Sequence, residues 1–204
     1  EVRAIAKKAN LATAEKKDSQ GLCFVGKVHL PDFLQQRLEP KKGKVVEVPF
    51  DSTAFKNGYE PTDLQNITKP YVFNPELGEV VGEHNGAHFY TIGQRRGLNI
   101  GGYEKPLFVI GTDTNKNIIY TGSGDDHPGL YRKGLFVPHV DEHWIREDLK
   151  LLMGESKNFM ARIRYRQPLE LCMLHKKEEG LYIVFNKPQR GVTPGQFVAW
   201  YEND

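Results

Sequence analysis

Cys23 stands in Gly21-Leu-Cys-Phe-Val-Gly26, with Lys16 and Lys17 a few residues upstream. Flanking glycines permit unusual dihedrals and close approach by another molecule, which suits a thiol that must move to react. A free thiol is only slightly ionised at neutral pH unless nearby positive charge lowers its pKa, and the two lysines are the local source of such charge. The other reading of Leu-Cys-Phe-Val is a small buried hydrophobe, since unpaired cysteine is among the most buried residue types. Cys172, the second of two cysteines, lies within Leu169-Glu-Leu-Cys-Met-Leu174 without basic neighbours and reads as a structural strand residue. Two cysteines so far apart match neither a dense disulfide framework nor paired zinc-ligand spacing, and they point to the reducing cytoplasm.

Thr91-Ile-Gly-Gln-Arg-Arg-Gly-Leu-Asn-Ile-Gly-Gly102 packs glycines around Gln94, Arg95 and Arg96. Glycines let backbone approach phosphates, and paired guanidinium groups offer forked donors to them. The spacing is that of neither a P-loop nor a dinucleotide fingerprint, and no helix is signalled after it, so a structural turn cluster is the competing reading. Arg162, Arg164 and Arg166 alternate along an expected strand over 159–166 and would share one face, with Ile163 and Tyr165 on the other. Such a stripe suits a phosphate backbone, and Tyr165 suits base stacking; a solvated strand face and a core tyrosine are the alternatives. His84, His88, His127, His139, His143 and His175 show no ligand spacing, so no metal site is expected.

These groups need elements to position them. The chain has 204 residues, 39% of them hydrophobic and 11% aromatic, which is enough for one large or two small cores. A net charge of +2 is too mild to announce nucleic-acid binding, so any RNA contact must come from local patches. No apolar run approaches the ~20 residues that span a bilayer, and no membrane association is expected. Val2, Ile5, Ala6 and Ala9 form a helical stripe that is expected to close a larger preceding domain. A second short helix is expected over 32–38 after Pro31, and 50–77, rich in Asn, Thr, Pro and isolated aromatics, reads as a surface excursion. Short strands are expected at 44–49, 79–81, 87–92, 107–112, 117–121, 159–166, 169–175, 181–186 and 196–201, with hairpin turns at 114–117 and 177–180. Many short strands argue a mainly β (α+β) fold built from small β-barrels, with a seam near 122–129.

Six ordered blocks carry a resemblance: Ala14-Glu-Lys-Lys-Asp-Ser-Gln-Gly-Leu-Cys-Phe-Val-Gly26, Gly82-Glu-His-Asn-Gly86, Tyr90-Thr-Ile-Gly-Gln-Arg-Arg-Gly-Leu98, Asp126-His-Pro128, Arg164-Tyr-Arg-Gln167 and Val192-Thr-Pro-Gly-Gln196. In this order they resemble the second half of the bacterial tRNA-specific 2-thiouridylase family. The resemblance implies an ATP-pyrophosphatase domain, a small central domain and a C-terminal β-barrel, which together replace the C2 oxygen of a wobble uridine in tRNA with sulfur. It further implies ATP (with Mg) as the agent that adenylates the oxygen, and a cysteine persulfide, loaded by a sulfur-donor protein, as the sulfur source. Cys23 matches the persulfide carrier, and Arg164, Tyr165 and Gln196 match barrel positions that touch tRNA. On a regular strand Arg164 and Tyr165 would face opposite ways, so their joint use requires a strand end or bulge.

The expected organisation is therefore a domain remnant over 1–22, a central domain over 23–124 with an insertion at about 50–77, and a tRNA-binding barrel over 125–204. The resemblance implies that the ATP signature and the second cysteine, whose disulfide with the carrier releases product in the family, are expected upstream of Glu1. The chain alone is expected neither to bind ATP nor to thiolate tRNA. The alternatives are a non-catalytic RNA- or protein-binding barrel module in which Cys23 is structural, and a scaffold with no nucleic-acid role.

Overall fold

The computed structural model describes residues 2–10, 38–55 and 63–202. Cys23 and the helix expected over 32–38 lie outside these. Two compact units divide the chain at Pro40. In the first, Val2–Lys8 forms helix α1, whose last turn carries Lys7 and Lys8, where positive charge favours the helix dipole.

The second unit holds two sheets and is mainly β, as expected. Strands β1 (Gly43–Glu47), β2 (Glu79–His84), β3 (Leu107–Asp113) and β4 (Ile118–Ser123) form a four-stranded sheet in the order β2-β1-β4-β3. The β3–β4 hairpin turns across Thr114–Asn117, where the Asp113 carboxylate accepts from the Lys116 amide at 2.9 Å and Asn117 takes φ 55°. β1 pairs parallel to β4 and antiparallel to β2. Strand β4 reads Ile-Ile-Tyr-Thr-Gly and is buried almost throughout because both sheet faces are covered. Val45, Val109 and Ile119 pack on one side with Leu98 and Leu107, and Val46, Ile110 and Tyr120 on the other with Leu130.

That second face corrects the reading of 50–77 as a surface excursion. The Phe73 ring stacks on Tyr120 at 5.3 Å, and Phe55 meets Tyr71 and His127 edge-on, each at 5.3 Å. Isolated aromatics have no period to betray them, yet their large rings cover much apolar surface even when half-buried. Within the same stretch, helix α2 (Leu64–Thr68) is capped by Asp63, whose side chain accepts from the Asn66 amide at 3.0 Å. The strand expected at 87–92 is absent as well. Ala87–Phe89 is a 3-10 turn, its amides held by side chains: His84 Nδ1 accepts from Gly86 and Asn117 Oδ1 from Ala87, each at 2.9 Å.

Strands β5 (Tyr131–Pro138), β6 (Ser156–Arg162), β7 (Glu170–Lys177), β8 (Gly180–Arg190) and β9 (Ala199–Tyr201) form the second sheet, antiparallel throughout, in the order β5-β8-β7-β6-β9. β5 escaped the sequence reading because a bulge between Arg132 and Gly134 breaks its alternation and Pro138 ends it; both are tolerated on an edge strand. Phe159, Leu174, Leu181, Ile183 and Phe185 make the core, closed over by Trp144 and Leu151 from the β5–β6 connection. Glu142 anchors that connection. Its carboxylate accepts from Trp144 Nε1 at 2.6 Å and from the Lys176 ammonium, and Lys176 also lies 3.0 Å from His139 Nδ1. Both charged side chains are nearly solvent-free, at 5% and 2% exposure.

Candidate functional site

β6 ends at Arg162, four residues earlier than the alternation predicts, so the arginine stripe is not a strand face. Ile163 turns inward and is buried in the core, whereas Arg164, Tyr165 and Arg166 occupy an exposed turn closed by the Gln167 amide donating to Arg164 O at 3.0 Å. A turn is not bound by period-two alternation. Arg164 and Tyr165 therefore both reach the exposed rim, which removes the conflict that a regular strand would impose.

Two bonds fasten this turn to the end of β8. Arg164 Nη2 donates to Gly191 O at 3.0 Å, and the Gln167 side-chain Nε2 donates to Oε1 of the buried Gln189. Beyond Gly191 the chain makes a second turn, in which the Gln196 amide donates to Thr193 O at 3.4 Å and Gly195 takes φ 83°. It then enters β9, which pairs Ala199 with Arg162. In that antiparallel register Tyr165 and Gln196 stand equally far past the last paired residues, at the same end of the sheet. Arg164 and Tyr165 on one loop and Gln196, some thirty residues later, on the other thus lie at the same end of the sheet.

Phe197, which the sequence reading did not single out, is 95% exposed beside Gln196, and Tyr165 is 85% exposed. A large apolar residue directly after Thr193-Pro-Gly-Gln196 was the available signal. Phe197 and Gln196 also line a groove of about 1900 Å³ between the two sheets, together with Tyr71, Thr91 and Ile145. Guanidinium groups beside open aromatic rings can hold phosphates and stack unpaired bases.

Gly191 has φ 69°, and a Cβ there would stand 2.7 Å from Arg164 Nη2. Gly191→Ala is therefore expected to displace the guanidinium and to lower stability by about 1–2 kcal/mol through the left-handed backbone. Urea unfolding measures the second effect, and the NMR shift of the Arg164 side-chain Nε–H measures the first. Wild-type values for both would show that the tie is dispensable.

The Gln94-Arg95-Arg96 group sits elsewhere, against the edge of β3. Gly93 N donates to Val109 O at 2.7 Å and Val109 N to Gln94 O at 2.9 Å. The Gln94 side chain is consumed in bracing the loop, accepting from Thr91 N at 3.2 Å and donating to Arg96 O at 2.8 Å. Arg95 and Arg96 remain exposed. With the Gly93 amide spent on β3, that of Gln94 on Thr91 O and no helix following, the segment differs from a helix-capped phosphate cradle.

Cys172 is buried in the second core. Its thiol donates to Phe159 O at 3.3 Å, and burial pushes its pKa up to about 12. It is a free thiol, and among the described residues no group of three or more His, Cys, Asp and Glu side chains could hold a metal ion. His84 and His127 are buried, and burial lowers both pKa values, so these rings are neutral core members. No helix among the described residues is long and apolar enough to cross a membrane.

Family models match each part of this architecture. A tRNA methyl transferase PRC-barrel domain matches residues 65–123, which hold β2 to β4, and an aminomethyltransferase β-barrel domain matches 136–204. A tRNA methyl transferase HUP domain matches residues 1–27. The two sheets thus define a PRC-barrel-like domain joined to a β-barrel.

Over the whole chain, the tRNA-specific 2-thiouridylase MnmA of Christiangramia forsetii is 53% identical across 210 residues, covering 100% of this chain and 53% of that protein. The Flavobacterium johnsoniae protein of the same name is 52% identical over 210 residues, and the Chlamydia trachomatis protein 40% over 205. The chain belongs to the tRNA-specific 2-thiouridylase family. It spans about half the length of the curated relatives it matches.

Proposed function

We propose that this chain is the sulfur-carrying and tRNA-binding part of a tRNA-uridine 2-sulfurtransferase, an enzyme that replaces the C2 oxygen of the wobble uridine with sulfur in the cytoplasm. The observation that carries the reading is the identity, extending over the full chain, with relatives named for tRNA 2-thiolation. Its support from geometry is the rim to which the Arg164-Tyr165 turn and the distant Gln196 loop both contribute. Cys23 carries the transferable sulfur as a persulfide, loaded by a sulfur-donor protein. The terminal sulfur of a persulfide is a better nucleophile than the thiol beneath it, and the target base must leave its stack to meet it. ATP with Mg supplies activation of the C2 oxygen. The reading assigns ATP binding to other parts of the enzyme.

Arg164→Ala combined with Gln196→Ala tests the rim. Filter binding of unmodified tRNA is expected to weaken by about tenfold or more, from loss of a charge-assisted contact and a neutral one. Unchanged affinity in a variant that unfolds like wild type would remove tRNA from this surface.

A further inference from the structure

Arg162 was the third member of the expected phosphate-binding stripe, but its side chain is engaged otherwise. Its guanidinium lies 5.5 Å from the Tyr165 ring centroid and 5.2 Å from that of Tyr201. One nitrogen donates to Tyr165 O and the other to Tyr201 OH, each at 3.0 Å. Both distances to the rings are within the reach of a cation–π contact. A single planar group therefore ties the backbone and ring of Tyr165 to β9, while 85% of Tyr165 stays open to solvent.

We propose that Arg162 is a positioning residue which holds the Tyr165 ring in place to receive an unstacked base of tRNA, and that it does not itself bind phosphate. The inference rests on the rim reading above and adds a role to a residue outside it. An exposed tyrosine on a turn samples several rotamers, and a base that stacks on it must restrict them on binding. Fixing the ring beforehand removes that cost from the binding step. The guanidinium is suited to this because it is planar and can donate in two directions while lying over a ring; an ammonium is a point charge without that geometry.

Arg162→Lys separates the two roles because it keeps the charge. Positioning predicts that tRNA affinity falls by about threefold to tenfold, with the slope of log affinity against log salt unchanged. It further predicts that Arg162→Lys has little added effect in a Tyr165→Ala background, since the two residues act as one unit. Tyr201→Phe, which removes only the hydroxyl that accepts from Arg162, is expected to give a smaller loss in the same direction and guards against a folding artefact. If Arg162→Lys binds like wild type while Arg162→Gln loses affinity and about 0.7–0.9 of salt slope, Arg162 is a phosphate contact and the proposal is overturned. Additive losses in the double variant overturn it as well. Should Tyr165→Ala alone bind tRNA normally, the rim reading fails and this inference with it; a Tyr165→Ala defect without an Arg162→Lys defect rejects positioning only.

Discussion

Cys23→Ser in the whole enzyme is expected to lower 2-thiouridine formation by about 10³-fold or more, while Cys172→Ser leaves it within a few-fold of wild type. Serine preserves size and hydrogen bonding at either position but cannot carry a sulfane sulfur. The contrast comes from environment. Cys172 is sealed in the second core with its pKa pushed up to about 12, so only roughly one part in 10⁵ is thiolate at pH 7 and no sulfur donor can reach it. Its replacement shows up as a stability change, softened because a serine hydroxyl can still donate to Phe159 O. Mass spectrometry of nucleosides from reacted tRNA reads the outcome directly. The reverse pattern, with Cys172 essential and Cys23 dispensable, would end the persulfide assignment.

The second large effect concerns the fold. Lys176→Ala is expected to cost about 3–5 kcal/mol, because it leaves the Glu142 carboxylate buried without its cation. For a chain of this size that amounts to a drop of about 10–15 °C in Tm. Burial by itself pushes the Glu142 carboxyl up; hydrogen bonds from Lys176 and Trp144, the Lys176 charge and His139 overturn that push and hold it below its ordinary value. A depressed folded-state pKa contributes stability that is complete above the ordinary carboxylate pKa and is lost as pH falls through the folded value. Without Lys176 burial dominates, the folded pKa rises, and the sign reverses: the variant's penalty is present at neutral pH and shrinks in acid. Urea unfolding of both proteins at pH 7 and near pH 4.5 should therefore show the gap narrowing in acid. A gap that is constant or wider at low pH would mean that Glu142 is not the group left exposed to the penalty. Replacing the pair together, Lys176→Met with Glu142→Leu, is expected to cost far less than Lys176→Ala alone, since no unpaired charge remains.

Neither the Glu142–Lys176 pair nor the arginine–tyrosine contact is written in local sequence. Glu142 and Lys176 are ordinary surface-type residues with no shared motif, and only the folding of the β5–β6 connection over the second core brings them together. The arginine stripe illustrates the opposite failure. A period of two was present in Arg162, Arg164 and Arg166, but the ladder with β7 stops at Ala161 and that with β9 at Arg162, so the pattern outlasts the strand. Periodicity reports what a segment could pair, and pairing requires a partner of the right length. In 50–77 the error ran the other way. A stretch without period proved to supply Phe55, Tyr71 and Phe73 to the second face of the first sheet.

By itself the sequence determined the mainly β class, the hairpins at 114–117 and 177–180 and the inert setting of Cys172, because turn chemistry and local alternation act within a few residues. The motif blocks likewise marked Arg164, Tyr165 and Gln196 one by one. Tertiary structure alone decided that these three share a rim, that Gln94 is spent on bracing its own loop, and that Arg162 serves Tyr165. Those outcomes depend on strand register and on which backbone carbonyl a side chain meets, and both are settled only when segments distant in sequence have packed.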